Sequence, residues 1–222
     1  MKDNKSAYNS NTYDEHIVNV LPYYMEYHDQ VIDIVRIMGV DAPKWLDTGC
    51  GTGTLAAQTL EMIPNVRFTL CDPSEKMLTL AKDKLKDYKV IFLNKPSDKL
   101  DFDNEFDVVT AIQSHHYYNE EERELAVNNC YRALKSGGVF VTFESIRMAT
   151  DESDAIALKR WIRFLEEHGN SPEDVQMHIK RRGVEVFPIT IEKHIELLKK
   201  SGFSSVNLLW SSYLQAGFWA IK

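Results

Sequence analysis

The chain has 222 residues, 44% hydrophobic and 27% charged, with 26 basic and 33 acidic side chains and a formal net charge of −7. That length suits one α/β domain and buries a full core without disulfides or metals. The acidic balance argues against nucleic acid as a direct partner, because phosphate binding calls for a basic surface.

Residues 1–12 are polar, lead into no apolar signal core and are expected to fray. From Tyr13 to Met38 apolar residues recur at helical spacing, at Ile17, Val20 and Leu21 and again at Val31, Ile32 and Val35. Pro22 divides this stretch into two helices, an N-terminal helical cap over 13–38. A strand–helix alternation follows. Strands are predicted at Lys44–Asp47, Val66–Cys71, Lys89–Leu93, Phe106–Ile112 and Val139–Phe143, with helices at Thr54–Met62, Ser74–Leu85 and Glu120–Leu134 between them. Ser74 is a candidate N-cap, and Gly137-Gly138 is read as ending the last of these helices. The alternation specifies a Rossmann-like, doubly wound, mostly parallel sheet with right-handed crossovers.

The stretch 145–204 is far longer than a crossover requires. Its surplus, 145–190, is read as a helical lid insertion with helices near Ile156–Glu167 and Pro172–Arg181, before a crossover helix at Ile191–Lys200. Two strands, Ser205–Trp210 and Leu214–Ile221, close the chain as an antiparallel hairpin. The whole of 1–222 is thus read as a single domain. The longest apolar runs are too short to span a bilayer. The three scattered cysteines, Cys50, Cys71 and Cys130, form no CxxC pair, so no metal site is expected and a reduced, cytoplasmic enzyme is the default reading.

The chemistry gathers at strand ends. Asp47-Thr48-Gly49-Cys50-Gly51-Thr52-Gly53 leaves a strand and opens a helix. Glycines let the backbone turn tightly and approach a ligand. The spacing is GxGxG, and Thr54 stands where a dinucleotide fingerprint needs glycine. An acid at the strand tip opposes a pyrophosphate but suits a ligand bearing an ammonium group. Asp72, at the next strand end, has the place and chemistry to accept both hydroxyls of a ribose. A structural glycine turn and a surface Asp are the alternatives.

With these residues in register, the chain resembles the class I S-adenosylmethionine-dependent methyltransferases. The matching pieces are LDTGCGTG (46–53), LCDPSEKML (70–78), FDVVTAIQSHHY (106–117), LKSGGVFV (134–141) and LKKSGF (198–203). The resemblance implies a seven-stranded sheet with an antiparallel last strand, and methyl transfer from S-adenosylmethionine. It also implies that Gly49, Cys50, Gly51 and Gly53 line the methionine part, Asp47 meets its ammonium, Asp72 holds the ribose, and Pro73 and Met77 pack near the adenine. Many members carry an acid directly after the third strand; here Ser97 or Asp98 stands in for it, and Gln113 closes the cofactor side.

Ligands of such sheets bind outside the carboxyl ends of the strands. The acceptor is therefore expected over Gln113–Tyr118, with His115 or His116 as base, or with one of them only hydrogen-bonding. Tyr13, Tyr27 and His28 from the cap, Tyr117, and Trp161, Arg181 and Arg182 from the insertion are the candidate acceptor contacts, with plain packing as the alternative for each. Segment 13–17 (YDEHI) and the C-terminal third look similar to the tRNA wobble-uridine modification group, which includes the carboxy-S-adenosylmethionine synthase. There an arginine–tyrosine pair helps hold the carboxylate; here Arg181-Arg182 is followed by Gly183. The reading is methyl transfer to a small-molecule acceptor. The alternatives are the synthase-like chemistry, a nucleotide-dependent oxidoreductase and a non-catalytic binding protein. A homodimer is compatible with the edge strands and the tyrosine-rich first helix.

Overall fold

Short β-branched and apolar runs form strands here because helices cover both faces of the sheet. The computed structural model describes residues 4–222. Among these residues seven strands pair in the order β3-β2-β1-β4-β5-β7-β6. They are β1 (Lys44–Thr48), β2 (Arg67–Cys71), β3 (Ile91–Leu93), β4 (Phe106–Ile112), β5 (Leu134–Ser145), β6 (Ser205–Ser212) and β7 (Gln215–Ile221). β7 runs antiparallel to both of its neighbours, and the pairings among β1 to β5 are parallel. Strand order reverses between β1 and β4, the switch point that opens a crevice at the carboxyl ends.

Among the described residues eight α-helices accompany the sheet: α1 (Tyr13–Ile17), α2 (Tyr24–Met38), α3 (Thr54–Met62), α4 (Glu75–Lys84), α5 (Glu120–Ala133), α6 (Asp151–Glu167), α7 (Pro172–Arg181) and α8 (Ile191–Lys200). Val31, Ile32 and Val35 of α2 and Leu55, Ala56 and Leu60 of α3 join one core cluster, against Trp45, Phe68 and Phe143. Val127 and Cys130 of α5 and Leu198 of α8 join the cluster on the other face, against Phe140 and Phe218. A third cluster unites Ile17, Val20 and Leu21 with Leu165 of α6 and Val175 of α7, so the N-terminal helices and the insertion pack on each other. The α4 cap forms as expected: the Ser74 hydroxyl accepts the Met77 N–H at 3.2 Å. No helix among the described residues is long and apolar enough to cross a membrane.

Three local expectations are corrected. α5 ends at Ala133, and Gly137-Gly138 lies inside β5, because Leu134 already turns extended and pairs with Phe106. Gly137 has φ +76, and a Cβ on Gly138 would fall 2.9 Å from Leu134 and Lys135 and 3.0 Å from Asp107. The hairpin loop shortens to Tyr213-Leu214, since Ser212 pairs with Gln215. Residues 4–12 do not fray: Ser6 and Ser10 are buried, and Tyr8 donates to Asn170 at 3.3 Å. The part of that expectation on residues 1–3 lies outside the described residues.

Candidate functional site

The loop after β1 is shaped by close approach. Gly49 has φ +71, and a Cβ there would lie 2.4 Å from the Ser114 Cβ in the loop after β4. Only glycine lets the two loops meet. Gly51, also at positive φ, donates its N–H to Asp72 Oδ2 at 2.9 Å, while Oδ1 accepts the Ser74 N–H at 2.8 Å. One buried carboxylate thus ties the glycine loop to the start of α4. Burial raises its pKa, against the lowering effect of these two bonds.

A cavity of about 500 Å³ opens at this point. Of the residues expected on the cofactor side, Gly49, Gly51, Asp72, Pro73, Met77, Ser97, Asp98 and Gln113 line it. Asp47, Cys50 and Gly53 do not, and each has a physical reason. Asp47 is buried below the loop, where its carboxylate accepts the Thr110 hydroxyl at 2.7 Å. Burial pushes its pKa up to about 7; the Thr110 bond opposes the rise and the charge of Asp72 adds to it. Cys50 donates its N–H to Cys71 O and packs on the core. Gly53 faces α4, where a Cβ would come within 3.2 Å of Ala81 and Leu85. A direct contact of Asp47 with a ligand ammonium is therefore replaced by a role beneath the loop.

A second, smaller cavity of about 80 Å³ shares Ser6, Tyr13, Gln113 and Tyr117 with the first. These four form a collar between the chambers. Trp161, His178, Arg181 and Arg182 of the insertion line the inner chamber together with His116. Trp161 is fixed by its indole N–H on Val20 O at 2.8 Å. Arg181 donates Nε to Glu185 at 2.7 Å and a further N–H to Lys5 O, and its guanidinium carbon lies 6.0 Å from the centroid of the Tyr117 ring. Arg182 forks onto both oxygens of Asp154, at 2.8 and 3.0 Å. Tyr27 and His28 are corrected: neither lines a chamber. Tyr27 stacks on Phe143 with its hydroxyl on Pro22 O, and His28 is buried beside Gln58.

The adjacent histidines part company because β4 ends at Ile112 and His115–Tyr117 form a 3₁₀ turn behind Ser114. The His115 ring turns inward, stacked on Phe140, and lines neither chamber; burial lowers its pKa to about 4. His116 faces the inner chamber, with Nδ1 2.8 Å from Glu144 Oε2. Glu144 also receives the N–H groups of His115 (3.2 Å) and His116 (2.9 Å) and the Thr142 hydroxyl (2.8 Å). Burial alone would raise its pKa, but the bond and charge of His116 outweigh that and hold it at about 2. An ionised carboxylate only accepts, so the proton of this pair sits on Nδ1.

Sequence reading missed Glu144, although an acid inside the apolar run Val139–Phe143 and its continuation was a readable signal. It also missed Asn4, Lys5 and Ser6 at the outer cavity, and Gln215, which accepts from Gln113 Nε2 at 2.8 Å. Those residues carry no local pattern; the fold brings them in from the two ends of the chain.

Residues 46–138 match a family model described as a methyltransferase domain. The carboxy-S-adenosyl-L-methionine synthase of Nautilia profundicola is 26% identical over 96% of this chain and 92% of its own length. The protein of that name from Nitratiruptor sp. is 28% identical over 96% of this chain and 90% of its own. Among solved structures, an S-adenosylmethionine-dependent methyltransferase of Thermotoga maritima, titled a possible histamine N-methyltransferase, superposes with a TM-score of 0.62. It is 16% identical and covers 96% of this chain and 95% of its own.

Proposed function

We propose that this chain, a class I S-adenosylmethionine-dependent methyltransferase, transfers its methyl group to a small-molecule acceptor held in the inner chamber. The observation that carries this is the collar: donor and acceptor chambers adjoin through Ser6, Tyr13, Gln113 and Tyr117. The outer cavity fits S-adenosylmethionine in size and chemistry. Its glycine floor admits close approach, and its buried Asp72 carboxylate offers an acceptor to ribose hydroxyls. Pro73 and Met77 supply an apolar wall for the adenine, and Ser97 and Asp98 its polar edge. When bound, the cofactor supplies an electrophilic methyl group on a sulfonium.

The rest belongs to the chain. Residues 145–190 act as the lid of the inner chamber, and cap and lid exclude water together. Tyr13, Tyr117 and Trp161 favour a planar acceptor, and the narrow chamber orients it, which supplies much of the rate in a transfer governed by alignment. His116 takes the acceptor proton on Nε2, while Glu144 fixes the tautomer and stabilises the imidazolium that results.

One observation favours a second reading, formation of carboxy-S-adenosylmethionine. Arg181 is buried beside Tyr117 at the collar, placed to hold a carboxylate near the donor, and full-length relatives bear the synthase name.

A single experiment tests both. The protein is incubated with methyl-labelled S-adenosylmethionine and the small-molecule fraction of a cell extract, and products are followed by mass spectrometry. Labelled small molecules with stoichiometric S-adenosylhomocysteine support the first reading. A carboxylated cofactor without S-adenosylhomocysteine supports the second. Label found only in added RNA or protein overturns both.

A further inference from the structure

We infer that Arg123 is a positioning residue: it clamps the turn that carries His116 and Tyr117 and locks the linker after α7 to that turn. Arg123 lies on α5 and is 3% exposed. Its Nε donates to His115 O at 3.1 Å, and Nη2 donates to Tyr118 O at 3.0 Å and to Phe187 O. His115 and Tyr118 bracket the turn, and Phe187 lies in the linker between α7 and α8. The linker answers with its own bond, from Phe187 N–H to His116 O at 2.8 Å.

Among the described residues no carboxylate forms an ion pair with Arg123. Burying a cation on neutral carbonyls is costly, and burial accordingly lowers its pKa, against the charges of Glu144 and Glu120. An apolar side chain would fill the same space more cheaply. What only a guanidinium does is reach three divergent carbonyls from one plane. The turn is thus held from two sides. The buried anion Glu144 takes its N–H groups at His115 and His116, and the buried cation Arg123 takes its C=O groups at His115 and Tyr118. The Phe187 bond carries that order into the neighbouring Val186, which lines the inner chamber. Arg123 touches neither chamber; it faces a separate groove on the outer surface.

The kinetic side of this inference rests on His116 acting in the inner chamber, but the clamp itself is read without turnover. Arg123→Ala and Arg123→Lys are prepared, and amide hydrogen exchange is measured with S-adenosylhomocysteine bound. Exchange is expected to rise at least about tenfold in 114–119 and 183–190 together in both variants, since a lysine ammonium reaches fewer of the carbonyls. Affinity for S-adenosylhomocysteine falls by only a few-fold, because Arg123 itself lies outside the donor cavity while Tyr117 and Tyr118 of the loosened turn line it. Guanidinium ion, entering by the outer groove, restores protection in Arg123→Ala, and methylammonium does not. With an acceptor in hand, kcat falls about tenfold or more while the cofactor KM rises by only a few-fold. Unchanged exchange in both segments, a rise in only one of them, or no restoration by guanidinium overturns the clamp. If Arg123→Ala fails to fold, the paired rise in Arg123→Lys decides. A catalytically silent His116 would leave the exchange result standing.

Discussion

His116 Nδ1 lies 2.8 Å from Glu144 Oε2, and both side chains are buried, at 4% and 1% exposure. The carboxylate carries its charge in the interior because four donors converge on it. His116→Ala is expected to lower kcat by about 10²–10⁴-fold with S-adenosylhomocysteine affinity unchanged. His115→Ala should lower the melting temperature instead and leave the rate per folded molecule intact. Turnover at saturating cofactor, read beside thermal melts, separates the two; equal loss of kcat in both variants removes the distinction.

The same pair shapes the acid limb of stability. The Glu144 pKa is held at about 2, below its ordinary 4.5. A depressed carboxyl contributes stability above its unfolded pKa and loses it as pH falls through the folded value. The window is therefore pH 4.5 down to 2, and the contribution is on the order of 3 kcal/mol. Glu144→Gln should flatten that limb in urea unfolding measured from pH 5 to 2. An unaltered slope would show that Glu144 does not titrate there.

Asp47 works with the opposite sign. Its pKa is raised from 3.8 to about 7, so its neutral form favours the fold and stability declines as pH rises from about 4 through 7. Asp47→Asn keeps a polar group beside Thr110 and removes the charge. It should gain at most about 4 kcal/mol at pH 8 relative to the parent and nothing at pH 3.5. Denaturant unfolding at the two pH values checks this. An equal change at both would point to packing.

Asp72→Ala removes the acceptor for Gly51 and Ser74 N–H together with the proposed ribose contact. Cofactor affinity should fall by about 1.5–3 kcal/mol, the worth of hydrogen bonds to a charged group. Calorimetry with S-adenosylhomocysteine reads it directly, and unchanged affinity would take Asp72 out of the site.

Gly49→Ala tests the contact between loops. The positive φ costs a β-carbon about 1–2 kcal/mol, and the Ser114 side chain must also move. Ser114→Gly in the same chain relieves the clash and leaves the backbone cost. The double variant should melt between the parent and Gly49→Ala. A double variant no better than the single would mean the clash is absorbed elsewhere.

What the sequence determined by itself was whatever local periodicity and spacing encode. The alternation of apolar strands with α3, α4 and α5 dictated the doubly wound sheet. The GxGxG spacing with Asp72 located the loop at the floor of the outer cavity, since each glycine answers to a backbone need within a few residues. The tertiary structure decided which way each side chain turns. His115 and His116 are neighbours with the same chemistry, and only the 3₁₀ turn, held by Glu144, sends one into the core and the other to the chamber. Asp47 reads as a ligand contact until Thr110 is seen beneath the loop. Tyr27 and His28 read as cap contacts until α2 is seen to bury them against the sheet and α3. Arg123 carries no local sequence signal, and its burial follows from a linker more than sixty positions along the chain. Contacts of that kind arise from closure of the fold, to which no local pattern responds.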